Sequence, residues 1–291
     1  MRYEGVIFRP PSEAYSLLIQ ATIGCPHNRC VFCSMYKNTR FRIRPVEEIK
    51  EDLRMARQHY GEHIYSIFFP DGNTIVMKTD QLVEIFEYAH ELFPYLSRIT
   101  VYGSARFVSR KSSEELIRLH QAGLRRIHMG MESGDAVTLE RLRKGTTPEQ
   151  IIDAGRKIKQ AGIEVSEYYL VGAGSHERSY EHAVESARVL NAFSPDFIRL
   201  RTLVPIPGTP LFEAYQEGSF HLLPPLEALK EIRLLIEHLE VDGSMVLSDH
   251  VSNYVNVQGK LPEDKAKMIS QLDKALTKDE SCFRRADPFH L

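Results

Sequence analysis

The sequence has few cysteines, little excess of either charge and no long apolar run. Its 291 residues include 4 cysteines, 37 lysines and arginines and 39 aspartates and glutamates, for a formal net charge of -2. No apolar run approaches the ~20 residues that a membrane-spanning helix needs, and the first residues lack the hydrophobic segment of a signal peptide. We therefore expect a cytoplasmic protein with no membrane partner. Nucleic acid is not expected as a partner either, because nucleic-acid-binding proteins usually carry a basic excess.

The four cysteines form a cluster of three and one outlier. Cys25, Cys30 and Cys33 lie within nine residues of each other, whereas Cys282 is close to the last residue. A disulfide scaffold would spread its cysteines along the chain and is typical of secreted proteins. The clustered spacing indicates a metal site in an intracellular protein. The sequence assigns no role to Cys282.

Strand-like apolar segments alternate with amphipathic helical segments as far as about residue 240. Such alternation is typical of right-handed βαβ units around a parallel sheet, and strands with little polar alternation indicate a sheet that is buried on both faces. The predicted fold class is α/β, a partial (β/α)6 TIM-like barrel with a C-terminal helical extension. Periodicity alone leaves an open, doubly wound sheet as an alternative. The predicted strands are 17–23, 64–69, 98–102, 126–131, 163–171 and 197–203, and a short later strand is 245–247. The predicted helices are 46–58, 79–92, 112–122, segments between 135 and 161, 178–191, 226–240 and 262–277.

The sequence predicts a division near residue 211. Residues 1–211 hold the predicted core, with the cysteine loop at 24–34, and a proline-rich irregular stretch follows residue 204. We expect residues 212–291 to form an extension that covers the barrel. The tail 278–291 has no periodicity and is expected to be mobile.

The cysteine loop carries the most specific chemistry in the sequence. Three thiolates on one tight loop can hold three corners of a [4Fe–4S] cube and leave the fourth iron open to a small ligand, whereas full ligation by the protein needs four thiolates. Zinc is an alternative, because a structural zinc site closes with four ligands and His27 could be the fourth. Three packed structural cysteines are a further alternative, although the loop also contains Pro, His, Asn and Arg. Ligand type and spacing favour the iron–sulfur cluster.

Polar or glycine-rich turns follow the second to sixth predicted strands, as the cysteine loop follows the first. Ligands of parallel sheets bind beyond the carboxyl ends of the strands. One edge of the sheet therefore collects thiols, carboxylates, cations, and glycines that let a ligand approach the backbone. The turns are Asp71-Gly72-Asn73, Gly103-Ser104-Ala105-Arg106, Glu132-Ser133-Gly134, Gly172-Ala173-Gly174 and Arg199-Leu200-Arg201.

These motifs resemble the radical SAM superfamily, whose members bind a [4Fe–4S] cluster through three cysteines and S-adenosylmethionine (SAM) at the remaining iron. The commonest family spacing is C-x3-C-x2-C, and this chain has C-x4-C-x2-C, one residue longer. The segments 42–49, 130–134 and 207–211 resemble the subgroup that includes Elp3, methylthiotransferases and oxygen-independent coproporphyrinogen oxidase. The resemblance covers roughly residues 17–211. It implies a [4Fe–4S] cluster and SAM as cofactors.

The resemblance implies a ligand set for both cofactors. Cys25, Cys30 and Cys33 would ligate the cluster. The turn 71–73 would occupy the place of the family's Gly-Gly-Glu motif and contact the methionyl amino group of SAM. The implied SAM-binding residues are Phe32, Asp71, Gly72, Asn73, Ser104, Arg106, Glu132, Ser133, Arg143, Lys144, Gly172 and Gly174.

Within this set, Phe32 would pack near the adenine, and Gly172 and Gly174 would form a turn beside it. Glu132 and Ser133 would bind the ribose, since a carboxylate accepts from two adjacent hydroxyls. One of Arg106, Arg143 and Lys144 would pair with the SAM carboxylate.

Structural alternatives exist for most of these positions. The turn 71–73 could be only a turn, and Glu132 could stabilise the helix that starts near Asp135. Arg143 and Lys144 close a helix, where cations are favoured in any case. The two glycines could reflect loop geometry alone.

The implied function is that of a radical SAM enzyme. In the family, the reduced cluster cleaves SAM to methionine and a 5′-deoxyadenosyl radical that abstracts hydrogen from the substrate. We expect a small-molecule substrate and a low-potential electron donor, ferredoxin or flavodoxin. Only Cys282 lies beyond the triad, so a second cluster with three or four protein thiolates is not expected. An added cobalamin domain is not expected either, because the sequence is too short for one. An RNA-modifying radical SAM enzyme and a non-catalytic iron–sulfur carrier are the alternatives.

Candidate substrate contacts lie on the fifth and sixth strands and in the polar segment 248–259. Alternation along a strand turns only one of Tyr168 and Tyr169 inward. A buried arginine on the sixth strand would indicate an anionic substrate such as a carboxylate or phosphate. The polar segment could fold over the open end of the barrel or be a long surface loop. The candidates are Tyr168, Arg199, Arg201, His250 and Tyr254, with Asp249 and Asn253 beside them.

Overall fold

A computed structural model describes residues 1–283, in which helices and strands alternate along most of the chain. The strands are β1 (Leu17–Leu18), β2 (Thr22–Ile23), β3 (Arg42–Ile43), β4 (Ser66–Phe69), β5 (Arg98–Gly103), β6 (Leu124–Glu132), β7 (Glu164–Val171), β8 (Phe197–Thr202), β9 (Met245–Leu247) and β10 (Gln258–Lys260). The helices are α1 (Val46–Tyr60), α2 (Thr79–Leu92), α3 (Ala105–Val108), α4 (Ser113–Gln121), α5 (Ala136–Arg141), α6 (Pro148–Gln160), α7 (Ser179–Asn191), α8 (Pro210–Gln216), α9 (Pro225–His238) and α10 (Lys265–Leu276).

Eight of these strands form one mostly parallel sheet in the order β1-β4-β5-β6-β7-β8-β9-β10. Only the last pair, β9 and β10, is antiparallel among the pairings described for this sheet. The predicted α/β class with a parallel core is therefore confirmed. The contacts within the chain divide it into two compact units. The first unit comprises residues 1–28, 35–129 and 156–165, and the second comprises 29–34, 130–155 and the chain from 166 onward.

The first unit packs helices on strands β1, β4, β5 and most of β6. Helix α1 places Ile49, Leu53 and Ala56 at a spacing of three to four residues, and all three are fully buried. That spacing makes one apolar face of a helix. On α2, Phe86 packs against Phe69 of β4 with ring centroids 5.3 Å apart. The helices therefore cover the strands of this unit. The loops that follow the strands carry the residues predicted for the site.

The second unit contains most of β7 together with β8, β9 and β10. Helix α9 follows Pro224 and begins with Pro225, at a position where the missing N–H costs no helical hydrogen bond. Its buried face includes Ile232, Leu235 and Ile236. This face packs the C-terminal part of the chain against α7 and α10.

The strand predicted over 17–23 is wrong in its extent. β1 ends at Leu18, and the chain then leaves the main sheet so that β2 pairs with β3 in a separate antiparallel ladder. The side chain of Gln20 donates to Asp71 Oδ2 (2.9 Å), and the backbone carbonyl of Gln20 accepts from Arg44 Nη1 (2.6 Å). These tertiary contacts, which no local pattern encodes, break the strand.

Some elements were not predicted. Helix α8 lies in the stretch after residue 204 that the sequence presented as irregular, and the prediction was wrong there. Its N-cap Thr209 accepts from the backbone N–H of Phe212 and is followed by Pro210. A threonine N-cap with proline at the first helical position is a helix-start signal that could have been read. The other unpredicted elements are β3, α3 and β10.

Part of the predicted mobile tail is packed. Phe283 is 9% exposed, and its ring lies 6.5 Å from that of Tyr254. Residues 284–291 lie outside the described residues. The predicted division at 211 does not coincide with the two compact units and stays a prediction. No helix within residues 1–283 is long and apolar enough to cross a membrane.

Candidate functional site

Cys25 lies against the turn that follows β4. The backbone N–H of Gly72 donates to the carbonyl of Gly24 (3.0 Å). A Cβ atom at residue 72 would lie 2.6 Å from Cys25 Cβ and 3.0 Å from Cys25 Sγ. Carbon atoms make favourable contacts at 3.5–4.0 Å, so only glycine fits here. The turn thus forms a cradle for the first cysteine of the triad.

The same turn holds two buried oxygens that lack partners. Asp71 Oδ2 accepts from Gly24 N–H (3.0 Å) and from Gln20, whereas Asp71 Oδ1 has no hydrogen-bond partner among residues 1–283. Burial raises the pKa of Asp71 to about 6, against the opposing effect of those two hydrogen bonds. Asn73 Nδ2 donates to Ser104 Oγ (2.7 Å), and Asn73 Oδ1 is buried and unpartnered within the described chain. Buried polar atoms normally have partners, so these two acceptors suit a ligand's N–H groups.

Arg106 lies on the cysteine-loop side of α3. Its Nη1 is 3.3 Å from Nδ1 of His27, which stands between the first two cysteines of the triad. Arg106 is therefore one candidate cation that the fold brings to this loop. No group of three or more His, Cys, Asp or Glu side chains within residues 1–283 is gathered so as to hold a metal ion.

In the second unit, the rest of the cysteine loop is anchored through Val31. Its N–H donates to Leu142 O (3.1 Å), and its carbonyl accepts from Leu211 N–H (3.1 Å). Phe32 packs on a buried apolar cluster. In the sequence it stands between the other two cysteines of the loop, Cys30 and Cys33, which are in no disulfide and of intermediate exposure. The cluster comprises Leu142, Leu170, Ala173, Leu203 and Leu211.

Glu132 and Lys144 form a buried ion pair near these cysteines. Lys144 Nζ lies 2.8 Å from Glu132 Oε1, and each side chain is 14% exposed. Burial alone would lower the pKa of Lys144, but Glu132 and the sulfurs of Cys30 and Cys33 together raise it above its ordinary value. The ammonium is also 6.0 Å from the centre of the Phe32 ring. Lys144 therefore has an ion-pair partner within the protein. If Glu132 binds a ribose, as the sequence predicts, it does so while paired with Lys144.

Backbone strain is concentrated in the loops that carry the predicted site. Within residues 1–283, six residues other than glycine have positive φ, and only Ser194 lies away from these loops. Such conformations are uncommon for non-glycine residues and gather at functional sites. The five others are Asn28, Asp71, Glu132, Arg143 and Ser175.

Ser133 is fully buried, and its hydroxyl is engaged within the protein. Ser133 Oγ lies 2.7 Å from His182 Nδ1 and accepts from the N–H of Asp135 (3.0 Å). Asp135 caps α5 by accepting from Thr138. The helix-cap alternative therefore applies to Asp135 itself, and the ribose role of Ser133 stays a prediction.

A buried carboxylate of α9 fixes the turn after β7. Glu231 Oε1 accepts from Gly172 N–H (2.7 Å) and from the hydroxyl of Tyr169 (2.9 Å). Tyr169 stacks on His182 with ring centroids 4.5 Å apart. Gly174 has close backbone neighbours, because a Cβ there would lie 2.8 Å from Arg178 O. Sequence reasoning missed Glu231, although an acidic residue on the apolar face of α9 was a usable signal.

Glu167 was also missed. It is 1% exposed on β7, and neither carboxylate oxygen has a side-chain partner within residues 1–283. Burial raises the pKa of Glu167 well above its ordinary value, Lys144 opposes that shift and Glu132 reinforces it. A glutamate inside an otherwise apolar strand was the available signal.

The candidate substrate residues are partly brought together. Tyr169 is buried among helices, while Tyr168 pairs in register with Arg199 across β7 and β8. Arg199 lies 3.6 Å from Asp249, and burial and Arg201 lower the pKa of His250 to about 4. Asn253 instead bonds to the backbone of β8. Tyr254 packs on the ring of Phe283 and is the one candidate that the structure places against the C-terminal end.

A comparison with protein-family models matches residues 19–187 to the radical SAM superfamily. That span exceeds half of the chain. The chain belongs to the radical SAM superfamily.

The relatives of this radical SAM protein include enzymes. It is 24% identical over 263 residues to an uncharacterized protein of Methanocaldococcus jannaschii, covering 87% of this chain and 76% of the relative. It is 25% identical over 267 residues to 3-methylornithine synthase of Methanosarcina barkeri, covering 86% and 70%. Other relatives are much longer, and the chain spans 41% and 31% of two of them.

Solved structures share the fold of this radical SAM chain. A crystal structure of methylornithine synthase superposes with a TM-score of 0.54 at 19% identity, covering 91% of this chain and 83% of the other. Coproporphyrinogen III oxidase from Escherichia coli gives a TM-score of 0.57 at 15% identity, covering 76% and 51%. The family, the TIM-like fold class and the assignment as an enzyme are therefore confirmed. The individual site residues and the subgroup stay predictions.

We expect Gly72→Ala to reduce cluster binding, because the added Cβ would overlap Cys25. After anaerobic reconstitution, iron and sulfide per chain should fall to less than about half of the wild-type content, since a packed site does not absorb such an overlap without moving. The control is Gly5→Ala, where the added Cβ meets no atom within 4 Å and only the strain of a left-handed φ remains. Equal iron content in Gly72→Ala and wild type would show that the cradle does not matter.

We expect His250 to make the protein less stable in mild acid. Its pKa is lowered to about 4 in the folded chain, so the unfolded chain takes up the proton first as the pH falls through about 6.5. The free energy of unfolding should drop by on the order of 2 kcal/mol between about pH 7.5 and about pH 5. Urea titrations should show a smaller drop in His250→Gln, with His59→Gln as the control. The same drop in both variants would contradict the assignment.

Proposed function

We propose that this chain is a radical SAM enzyme that cleaves SAM reductively and acts on a small-molecule substrate. The proposal rests on one observation above the others. Three cysteines stand on one loop, and the first of them is held against Gly72 so closely that no side chain fits there. Thiolates are the protein ligands of iron–sulfur clusters.

Cys25, Cys30 and Cys33 would hold a [4Fe–4S] cluster. The donor set fits such a cluster, because none of the three thiols is in a disulfide and each is only partly exposed. Three thiolates leave one iron for SAM. When bound, the cluster and SAM together supply a 5′-deoxyadenosyl radical that abstracts hydrogen from the substrate.

The residues of the turn after β4 would bind the amino group of SAM. Asp71 Oδ1 and Asn73 Oδ1 are buried acceptors without partners within the described chain. An ammonium group supplies N–H donors, and it would remove the cost of leaving these oxygens unpaired. The raised pKa of Asp71 would fall when a cation binds beside it, because a nearby positive charge favours the carboxylate.

Glu132 would accept hydrogen bonds from ribose hydroxyls, and Lys144 would hold its carboxylate in place. Arg106 is the candidate that we favour for the SAM carboxylate, because Lys144 is already paired with Glu132 at 2.8 Å. Gly172 would line the adenine, with its N–H fixed by Glu231. Phe32 packs on the apolar cluster that would carry the adenine side of this site.

The proposed partners follow from the family. Radical SAM enzymes generally act on small molecules and need a reductant, and the relatives include a biotin synthase as well as the 3-methylornithine synthase. The electron donor would be a low-potential ferredoxin or flavodoxin. No second function is proposed, because no contact in the described residues favours one.

The test is formation of 5′-deoxyadenosine by the anaerobically reconstituted full chain with SAM and dithionite. We expect the product, quantified by mass spectrometry, to fall to background in Cys25→Ala, Cys30→Ala and Cys33→Ala. Cys282→Ala is the matched control, since this exposed cysteine lies outside the triad, and it should retain wild-type product.

Three outcomes would contradict the proposal. Product that persists in all three triad variants would mean that the cysteines do not carry the reaction. A chain that binds the cluster but never cleaves SAM, with any reductant or substrate extract, would support an iron–sulfur carrier. Binding of tRNA that weakens steeply with salt would instead support RNA modification.

A further inference from the structure

Arg199 is a buried guanidinium whose charge is incompletely matched. Its side chain on β8 is 7% exposed, and its Nε has no hydrogen-bond partner among residues 1–283. Its ion-pair partner is Asp249, with 3.6 Å between Nη1 and Oδ1. That distance is too long for a hydrogen bond. Arginine cannot lose its proton in a protein, so the charge stays.

Two cations of the second unit that are less buried than Arg199, with side chains 14% and 24% exposed, are paired closely. Lys144 lies 2.8 Å from Glu132. Arg178 makes two hydrogen bonds of 2.8 Å to Asp135. Burying a charge is costly unless it is paired and hydrogen-bonded. Arg199 therefore departs from the pattern that the same unit follows elsewhere.

A second guanidinium stands near Arg199. Residues two apart on a strand share a face, so Arg201 lies on the same side of β8 as Arg199. The opposite side carries the fully buried apolar residues Ile198 and Leu200. Burial and the charge of Arg201 lower the pKa of His250 to about 4, so His250 adds no positive charge at pH 7. The face of β8 that carries Arg199 and Arg201 thus holds two positive charges. Among residues 1–283, the one carboxylate paired with Arg199 is Asp249, from the segment packed against this strand.

The segment that carries Asp249 is fixed to β8. Thr202 N–H donates to Ser252 Oγ (3.1 Å), and Asn253 Nδ2 donates to the carbonyl of Leu200 (2.8 Å). These bonds hold Asp249 beside Arg199 without bringing it to hydrogen-bond distance. The in-register neighbour of Arg199 on β7 is Tyr168, so the two side chains leave the sheet on the same face.

We propose that Arg199, supported by Arg201, binds an oxyanion of the substrate, either a carboxylate or a phosphate. The planar guanidinium fork matches both groups, and an incoming oxygen would give the unpartnered Nε its hydrogen bond. Asp249 competes weakly for the same guanidinium. Assigning the anion to the substrate rests on the proposed function, whereas anion binding at Arg199 does not.

The test measures anion binding by the reconstituted full chain with neither SAM nor reductant present. The probes are trifluoroacetate for carboxylates and monofluorophosphate for phosphates, each followed by fluorine NMR line broadening. We expect Arg199→Met to weaken the preferred probe about tenfold or more, and Arg199→Lys to weaken it less, because lysine keeps the charge and loses the fork. Asp249→Asn should tighten binding about threefold, since it removes the competing charge. Arg188→Met, at an arginine that is 51% exposed on α7, is the matched control.

The preferred probe identifies the anion class. Stronger binding of trifluoroacetate supports a carboxylate substrate, and stronger binding of monofluorophosphate supports a phosphorylated one. If Arg199→Met does not fold, Arg199→Lys and Asp249→Asn still test whether the anion binds at Arg199. Binding that is absent in the wild type, or equal in the wild type and every Arg199 and Asp249 variant, overturns the proposal. Neither result depends on SAM cleavage, so failure here is distinct from failure of the proposed function.

Discussion

The close approach of Gly72 to Cys25 is the constraint on which the rest of the site depends. It brings the turn after β4 to within van der Waals contact of a thiol, and the hydrogen bond from Gly72 N–H to Gly24 O fixes that approach. The same turn can then hold Asp71 in a left-handed conformation and place its carboxylate over Gly24 N–H. A larger residue at position 72 would separate the turn from the cysteine loop, and the buried acceptors of the turn would no longer stand beside it.

The candidate site contains buried polar atoms that have no hydrogen-bond partner within residues 1–283. An unpaired buried donor or acceptor costs about 1–3 kcal/mol, and Asp71, Asn73, Glu167 and Arg199 each contain at least one such atom within the described residues. Strained backbone accumulates in the same loops. Asp135, by contrast, is paired closely with Arg178. A ligand that gives these buried atoms hydrogen-bond partners would remove the free-energy cost of leaving them unpaired. That cost is already present in the folded chain without ligand.

Local patterns predicted most of the fold and the centre of the site. The periodicity of α2 and the apolar residues of β9 gave the observed bounds, since one follows a helical face and the other a short buried strand. Spacing alone marked the cysteine triad as a candidate cluster site, and the strand ends marked Glu132 as a candidate residue; both roles stay predictions. The structure was needed where partners are distant in sequence. The break at Gln20 depends on residues 24 and 51 positions away, and Glu231 acts on Gly172 across 59 residues. No window of sequence contains such pairs, although glutamates on apolar faces marked Glu167 and Glu231 as unusual.

In the proposed function, SAM binds at an iron that the three cysteines leave open. The most direct measurement is the electron paramagnetic resonance spectrum of the dithionite-reduced, reconstituted chain with and without SAM. We predict a reduced [4Fe–4S] signal whose g values change when SAM is added, because a ligand to one iron alters the electronic structure of the whole cluster. A well-formed cluster signal that is identical with and without saturating SAM would contradict the account.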